Sequence, residues 1–77
     1  MTGRPIKRSL TIKGHRTSVS LEDEFWTEFR RISTKRSIPI NALASEIDKN
    51  RTADIGLASA IRVFILMTIK AERDQKS

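Results

Sequence analysis

From Ser9 to Leu21 the chain alternates between apolar and polar residues with a period of two, and the phase of that alternation changes once, at Gly14. Leu10 and Ile12 alternate with Ser9, Thr11 and Lys13. Beyond the glycine the core-type positions are Thr17, Val19 and Leu21, with Arg16, Ser18 and Ser20 between them. Alternation of this kind belongs to an extended chain covered on one face. It predicts a strand over residues 15–20, and residues 9–13 carry the same pattern without settling whether they form a strand. A bulge, a bend or a break at Gly14 would each change the phase.

Downstream the period lengthens to that of a helix. Ser20 is placed to cap a first helix over residues 21–35, with Glu22, Asp23 and Glu24 in its first turn, where the helix dipole favours negative charge. Its apolar stripe is Leu21, Phe25, Phe29 and Ile32, widened by Trp26. Ser37 and Pro39 punctuate the chain, and a second helix over residues 39–50 carries Ile40, Leu43, Ala44 and Ile47. A third is expected over residues 57–72, with Asp54 or Gly56 as its cap. It is apolar nearly all round: from Ala60 to Ile69 only Arg62 and Thr68 interrupt the apolar residues. Such a helix must be buried on several sides, and 77 residues cannot surround it alone. Chains this short usually add a disulfide, a metal or a partner. With no cysteine and one histidine, the partner remains, and a homodimer is expected.

Charge is unevenly placed. Residues 1–20 hold Arg4, Lys7, Arg8, Lys13 and Arg16 and no acid, whereas the other ten basic side chains face all nine acidic ones. The excess therefore precedes the first helix, a footprint that suits a polyanion such as nucleic acid. Residues 1–8, with Gly3 and Pro5, read as a flexible basic arm. Residues 9–72 read as the folded domain and residues 73–77 as a disordered tail. No signal-peptide pattern opens the sequence and no apolar run reaches the ~20 residues that span a bilayer, so a cytoplasmic, nucleoid-associated protein without a membrane or a cofactor is expected. His15 has no nucleophile near it, and there is no metal set or phosphate-binding glycine loop. An enzyme is not expected.

A strand, an acid-started helix and a second helix, approached by basic residues, resemble the ribbon-helix-helix family of DNA-binding proteins. In particular, Gly14–Glu22 (Gly-His-Arg-Thr-Ser-Val-Ser-Leu-Glu), the pair Phe25-Trp26, the Glu46–Asp48 segment and the Ser59–Arg62 segment are similar to those of a small bacterial group within it. The resemblance implies a mainly α fold with one β-strand, paired across a homodimer into a two-stranded ribbon, plus an additional C-terminal helix. It also implies sequence-specific binding of double-stranded DNA, the ribbon lying in a major groove wide enough for two strands, and a role in transcription regulation.

Period two then assigns the faces: Thr17, Val19 and Leu21 to the core, and Arg16, Ser18 and Ser20 to the DNA bases, Arg16 being suited to guanine O6 and N7. Lys7, Arg8 and Lys13 are the expected phosphate contacts. The resemblance adds Asn41, at the start of the second helix, where Pro39 removes one amide donor. Two other readings stay open. One is a protein-interaction module, antitoxin-like or adaptor, whose apolar third helix grips a protein partner. The other is a helix-turn-helix protein with a basic arm in a groove.

Overall fold

In a computed structural model describing residues 3–75, the element order is β1 (Ile6–Ile12), β2 (His15–Leu21), α1 (Asp23–Lys35), α2 (Ile40–Asn50) and α3 (Leu57–Gln75). β1 and β2 pair antiparallel as a two-stranded sheet in one register, Ile6 opposite Leu21 through Ile12 opposite His15. The turn is two residues long. Lys13 and Gly14 have φ of 53° and 79°, and positive φ at both central positions is the hairpin geometry that matches strand twist. Glycine adopts it freely. The phase change at Gly14 is therefore a tight turn, and each core position of one strand faces a core position of the other only if one is even and the other odd.

Two expectations are corrected here. The described residues hold two strands rather than one, and β2 finds its partner in its own chain rather than across a homodimer, because the two-residue turn returns the chain directly onto itself. Of the expected arm, Ile6, Lys7 and Arg8 are strand, since each has a partner on β2. Gly3, Arg4 and Pro5 carry no regular structure, and residues 1–2 lie outside the described residues. Ile12 and His15 flank the turn as a hydrogen-bonded pair, so the alternate pairs Thr11–Arg16, Ser9–Ser18 and Lys7–Ser20 aim their backbone groups at the two edges. Both edges meet a helix there. The Thr11 N–H donates to Asn41 Oδ1 (3.0 Å) beside β1, and the Ser20 C=O accepts from Arg62 Nη2 (3.0 Å) beside β2.

The core is assembled from one face of each element: Leu10, Ile12, Val19 and Leu21 of the hairpin, Phe29 and Ile32 of α1, Leu43, Ala44 and Ile47 of α2, and Ile61 and Ile65 of α3. Thr17 shares the hairpin's inner face but is exposed, a correction to its core assignment: opposite the buried Leu10, it borders an open hollow together with Ile12, Asp48, Arg51 and Leu57 instead of meeting close packing. Ser20 does not cap α1. β2 runs through the fully buried Leu21, so the helix begins two residues later than expected, with Glu22 at its N-cap and the Trp26 N–H donating to the Glu22 carbonyl (2.9 Å).

At its other end α1 closes with paired bonds from the Ile38 N–H to the Ser33 carbonyl and from the Ser37 N–H to the Thr34 carbonyl (3.0 and 3.1 Å). This is the Schellman arrangement, with Ser37 at φ 56° where glycine is usual. It holds the short connection that turns the chain into α2, while Ile38 packs on the core. The Gly56 carbonyl accepts from the Ala60 N–H (3.0 Å) and opens α3.

α3 also runs further than expected. Arg73, Asp74 and Gln75, assigned to a disordered tail, are helical, and residues 76–77 lie outside the described residues. The turn before them is fastened to α1: Glu72 accepts from Arg31 (2.8 and 3.2 Å) and from Lys35 (3.0 Å). Arg31, and then Lys35, hold the Glu72 carboxyl down at about 2, from an ordinary 4.5. A depressed carboxyl contributes stability that is complete above its unfolded value and disappears as pH falls toward the folded one. The melting temperature should therefore drop between pH 4.5 and about 2. Glu72→Gln should flatten that part of a thermal-melt pH series; an unchanged profile would show that the clamp adds nothing to stability.

Candidate nucleic-acid interface

The outer face of the hairpin carries six side chains in three cross-strand pairs: Lys7 opposite Ser20, Ser9 opposite Ser18, and Thr11 opposite Arg16. All six are exposed and none is acidic or apolar. Small hydroxyl side chains fill the middle, so the backbone itself can approach a partner closely. The long cations stand toward opposite ends, Lys7 near the start of β1 and Arg16 near the turn, with exposed Lys13 at the turn itself. Two strands lie about 5 Å apart, well within the ~12 Å width of the major groove. Such a face offers a guanidinium fork for guanine and hydroxyls that donate or accept toward any base edge.

Arg16, Ser18 and Ser20 therefore lie together on one exposed face, with Lys7 among them. Ser9 and Thr11 share that face, although sequence reasoning did not single them out. The signal that would have found them is the length of the turn, which sets Ser9 against Ser18 and Thr11 against Arg16 once Lys13-Gly14 is read as a two-residue loop. Arg8 goes the other way. It lies on the inner face, paired with Asp23 and stacked 5.4 Å from the centre of the Trp26 ring, its side chain 18% exposed. Asn41 stands in the first turn of α2 with its Oδ1 committed to the Thr11 amide. This bond brings the start of α2 beside β1. Pro39 is the N-cap, so its missing N–H takes no donor from the first-turn amides of Ile40, Asn41 and Ala42.

Arg31 bonds Glu28 and Glu72, and Arg36 lies 5.1 Å from the Phe64 ring centre. Trp26 packs on the core with its ring 6.1 Å from that of Phe29. His15 is exposed beside the turn, opposite Ile12.

Arg62 is the functional support that sequence reasoning missed. From α3 it bonds the Ser20 carbonyl and both its Nε and Nη2 reach Glu22 Oε1 (3.1 and 2.9 Å), with its guanidinium 5.6 Å from the Phe25 ring centre. It thereby holds the end of β2 and the start of α1 in place from behind. A bond from its own backbone amide, and then Arg62, keep the Glu22 carboxyl below the usual carboxylate range.

Among the described residues no helix is long and apolar enough to cross a membrane. No curated protein and no solved structure gives a significant match to the chain. A family model does: that of the ribbon-helix-helix domain matches residues 5–69, from the approach to β1 to the middle of α3. With the hairpin, the two helices behind it and the further C-terminal helix, this chain belongs to the ribbon-helix-helix domain family.

Proposed function

We propose that this chain is a transcription regulator that binds double-stranded DNA sequence-specifically, as a homodimer, by laying the outer face of its hairpin in the major groove. The observation that carries the reading is the acid-free polar face: six exposed side chains, with Arg16 as its one guanidinium. Arg16, Ser18 and Ser20 read bases. Lys7 and Lys13 contact phosphates, and the first-turn amides of α2 beside Asn41 donate to another. Arg8 is left out of the phosphate set, because Asp23 and Trp26 occupy its guanidinium. A regulator of this kind works on the nucleoid in the cytoplasm. The helix-turn-helix alternative placed the basic arm of residues 1–8 in a groove, and Ile6, Lys7 and Arg8 of that arm are paired in β1.

Selection of bound duplexes from a random pool, followed by fluorescence anisotropy against salt, tests the reading. If about six phosphates are neutralised per dimer, log K against log salt should slope near −5. Lys7→Ala should make that slope shallower by about 2, one phosphate from each copy, and leave the selected sequence unchanged. A pool that yields no preferred sequence, or a slope that Lys7→Ala does not alter, would end this assignment of the face.

A further inference from the structure

α2, the connection after it and α3 border a hollow of about 480 Å³. Its walls are chiefly apolar: Leu43 and Ile47 of α2, Ile55 of the connection, and Ala60, Val63 and Phe64 of α3. None of its lining residues belongs to the hairpin. From Leu43 to Asn50 the hollow follows α2 for about 10 Å, and sites for small organic ligands typically hold roughly 300–1,000 Å³. Three charged side chains border it, Arg36, Glu46 and Arg51. Arg51 is committed: its Nε donates to Asp48 Oδ1 (2.8 Å) and its Nη1 to the Ile55 carbonyl (2.7 Å). Arg36 is exposed, with its guanidinium 5.1 Å from the centre of the Phe64 ring, itself part of the wall. It makes no ion pair among the described residues, not even with Glu46 of the same hollow.

We propose that this hollow binds a small amphipathic carboxylate, an aliphatic acid of medium chain length, with its tail between α2 and α3 and its head on Arg36. The tail leaves water for apolar walls, and that transfer supplies most of the affinity. A guanidinium is a planar fork of donors that matches a carboxylate, and the Phe64 ring beneath it fixes where the fork stands. The charges of the lining select the head group. Two guanidinium groups stand against one carboxylate, and Arg36 is the cation that no acid of the described residues pairs with. Glu46 opposes an anionic ligand, but it is exposed, and solvent and salt screen a charge placed there. The site shares no residue with the outer face of the hairpin and its test uses no DNA, so it stands or falls apart from the reading above.

Titration of the full chain with decanoate up to about 1 mM, followed by calorimetry and by amide resonance shifts, tests this over a range that includes weak binding. Binding should saturate, with the largest shifts in residues that line the hollow. Decanol should bind more weakly and decylammonium more weakly still, since the tail is constant and only the head charge changes. Arg36→Met keeps an apolar stem beside Phe64 and removes the fork. It should weaken decanoate about tenfold or more, the scale of a charge-assisted hydrogen bond, and leave decanol unchanged. Glu46→Gln removes the opposing charge and should tighten decanoate. Both positions are exposed, and circular dichroism checks that the variants fold. Should Arg36→Met misfold, Glu46→Gln and the order of the three head groups carry the test. A wild type without saturable decanoate binding overturns the proposal. So does decanol or decylammonium bound as tightly as decanoate, Arg36→Met with wild-type affinity, or Glu46→Gln without a gain. Lining amides that shift with protein concentration and not with decanoate would show that a second copy covers the hollow, which also overturns it.

Discussion

Arg16→Ala is expected to weaken binding to selected DNA by about 1–3 kcal/mol for each bidentate arginine–guanine pair it removes, and a dimer holds two such pairs. Arg16 is exposed on the outer face, opposite Thr11, and makes no ion pair within the described chain. Its removal therefore leaves the fold with nothing to repair, and the melting temperature should stay within the small change usual for surface substitutions. The effect should fall at symmetric positions of a pseudo-palindromic site, where base preference relaxes, while binding to unrelated duplexes declines only by the charge removed. Competition between selected and scrambled duplexes, with thermal melts alongside, measures both. Unchanged selectivity in Arg16→Ala, with selectivity abolished in Thr17→Ala on the inner face, would mean that the hairpin presents its other side.

The second large effect is on stability. Phe29 is wholly buried, with the Trp26 ring 6.1 Å away and the core residues of all five elements around it. Phe29→Ala removes most of an aromatic side chain from a close-packed site and is expected to cost about 3–5 kcal/mol. Domains are stable by only about 5–15 kcal/mol, and a core this small lies toward the lower end, so much of the variant should be unfolded at room temperature. Urea titrations of wild type and variant must be run at one protein concentration, because association adds to apparent stability. Thr27→Ala, on the exposed side of the same helix, should shift the midpoint little. A destabilisation below about 1 kcal/mol for Phe29→Ala would show that the core is not closed around this ring.

Much of this molecule was legible in its sequence because the relevant physics is local. The helical stripes follow from a period near 3.6, and residues 40–50 and 57–72 are helical as the spacing predicts. The outward set Arg16, Ser18 and Ser20 follows from a period of two, since successive side chains in any extended strand point to opposite sides. Period two fixes the alternation, however, and not the partner. Whether β2 paired with a second chain or with its own depended on Lys13 and Gly14 both taking positive φ, and nothing in the alternation distinguishes a bend from a turn there.

What the sequence by itself determined was therefore the class of β2 and of the three helices, the sign of the charge before the first helix and the faces of β2. Tertiary structure alone decided where the long polar side chains end. Arg8 and Lys7 are neighbours in a basic run, yet one stacks on Trp26 and pairs with Asp23 while the other is exposed. Ser20 had the composition of a helix cap but became the last outward residue of a strand, because burying Leu21 beneath the helices extended β2 past it. Arg62 reaches back some forty residues to Ser20 and Glu22. Such contacts depend on distances across the fold. A charged side chain on a flexible stem takes whichever partner packing brings within reach, and no spacing along the chain encodes that distance.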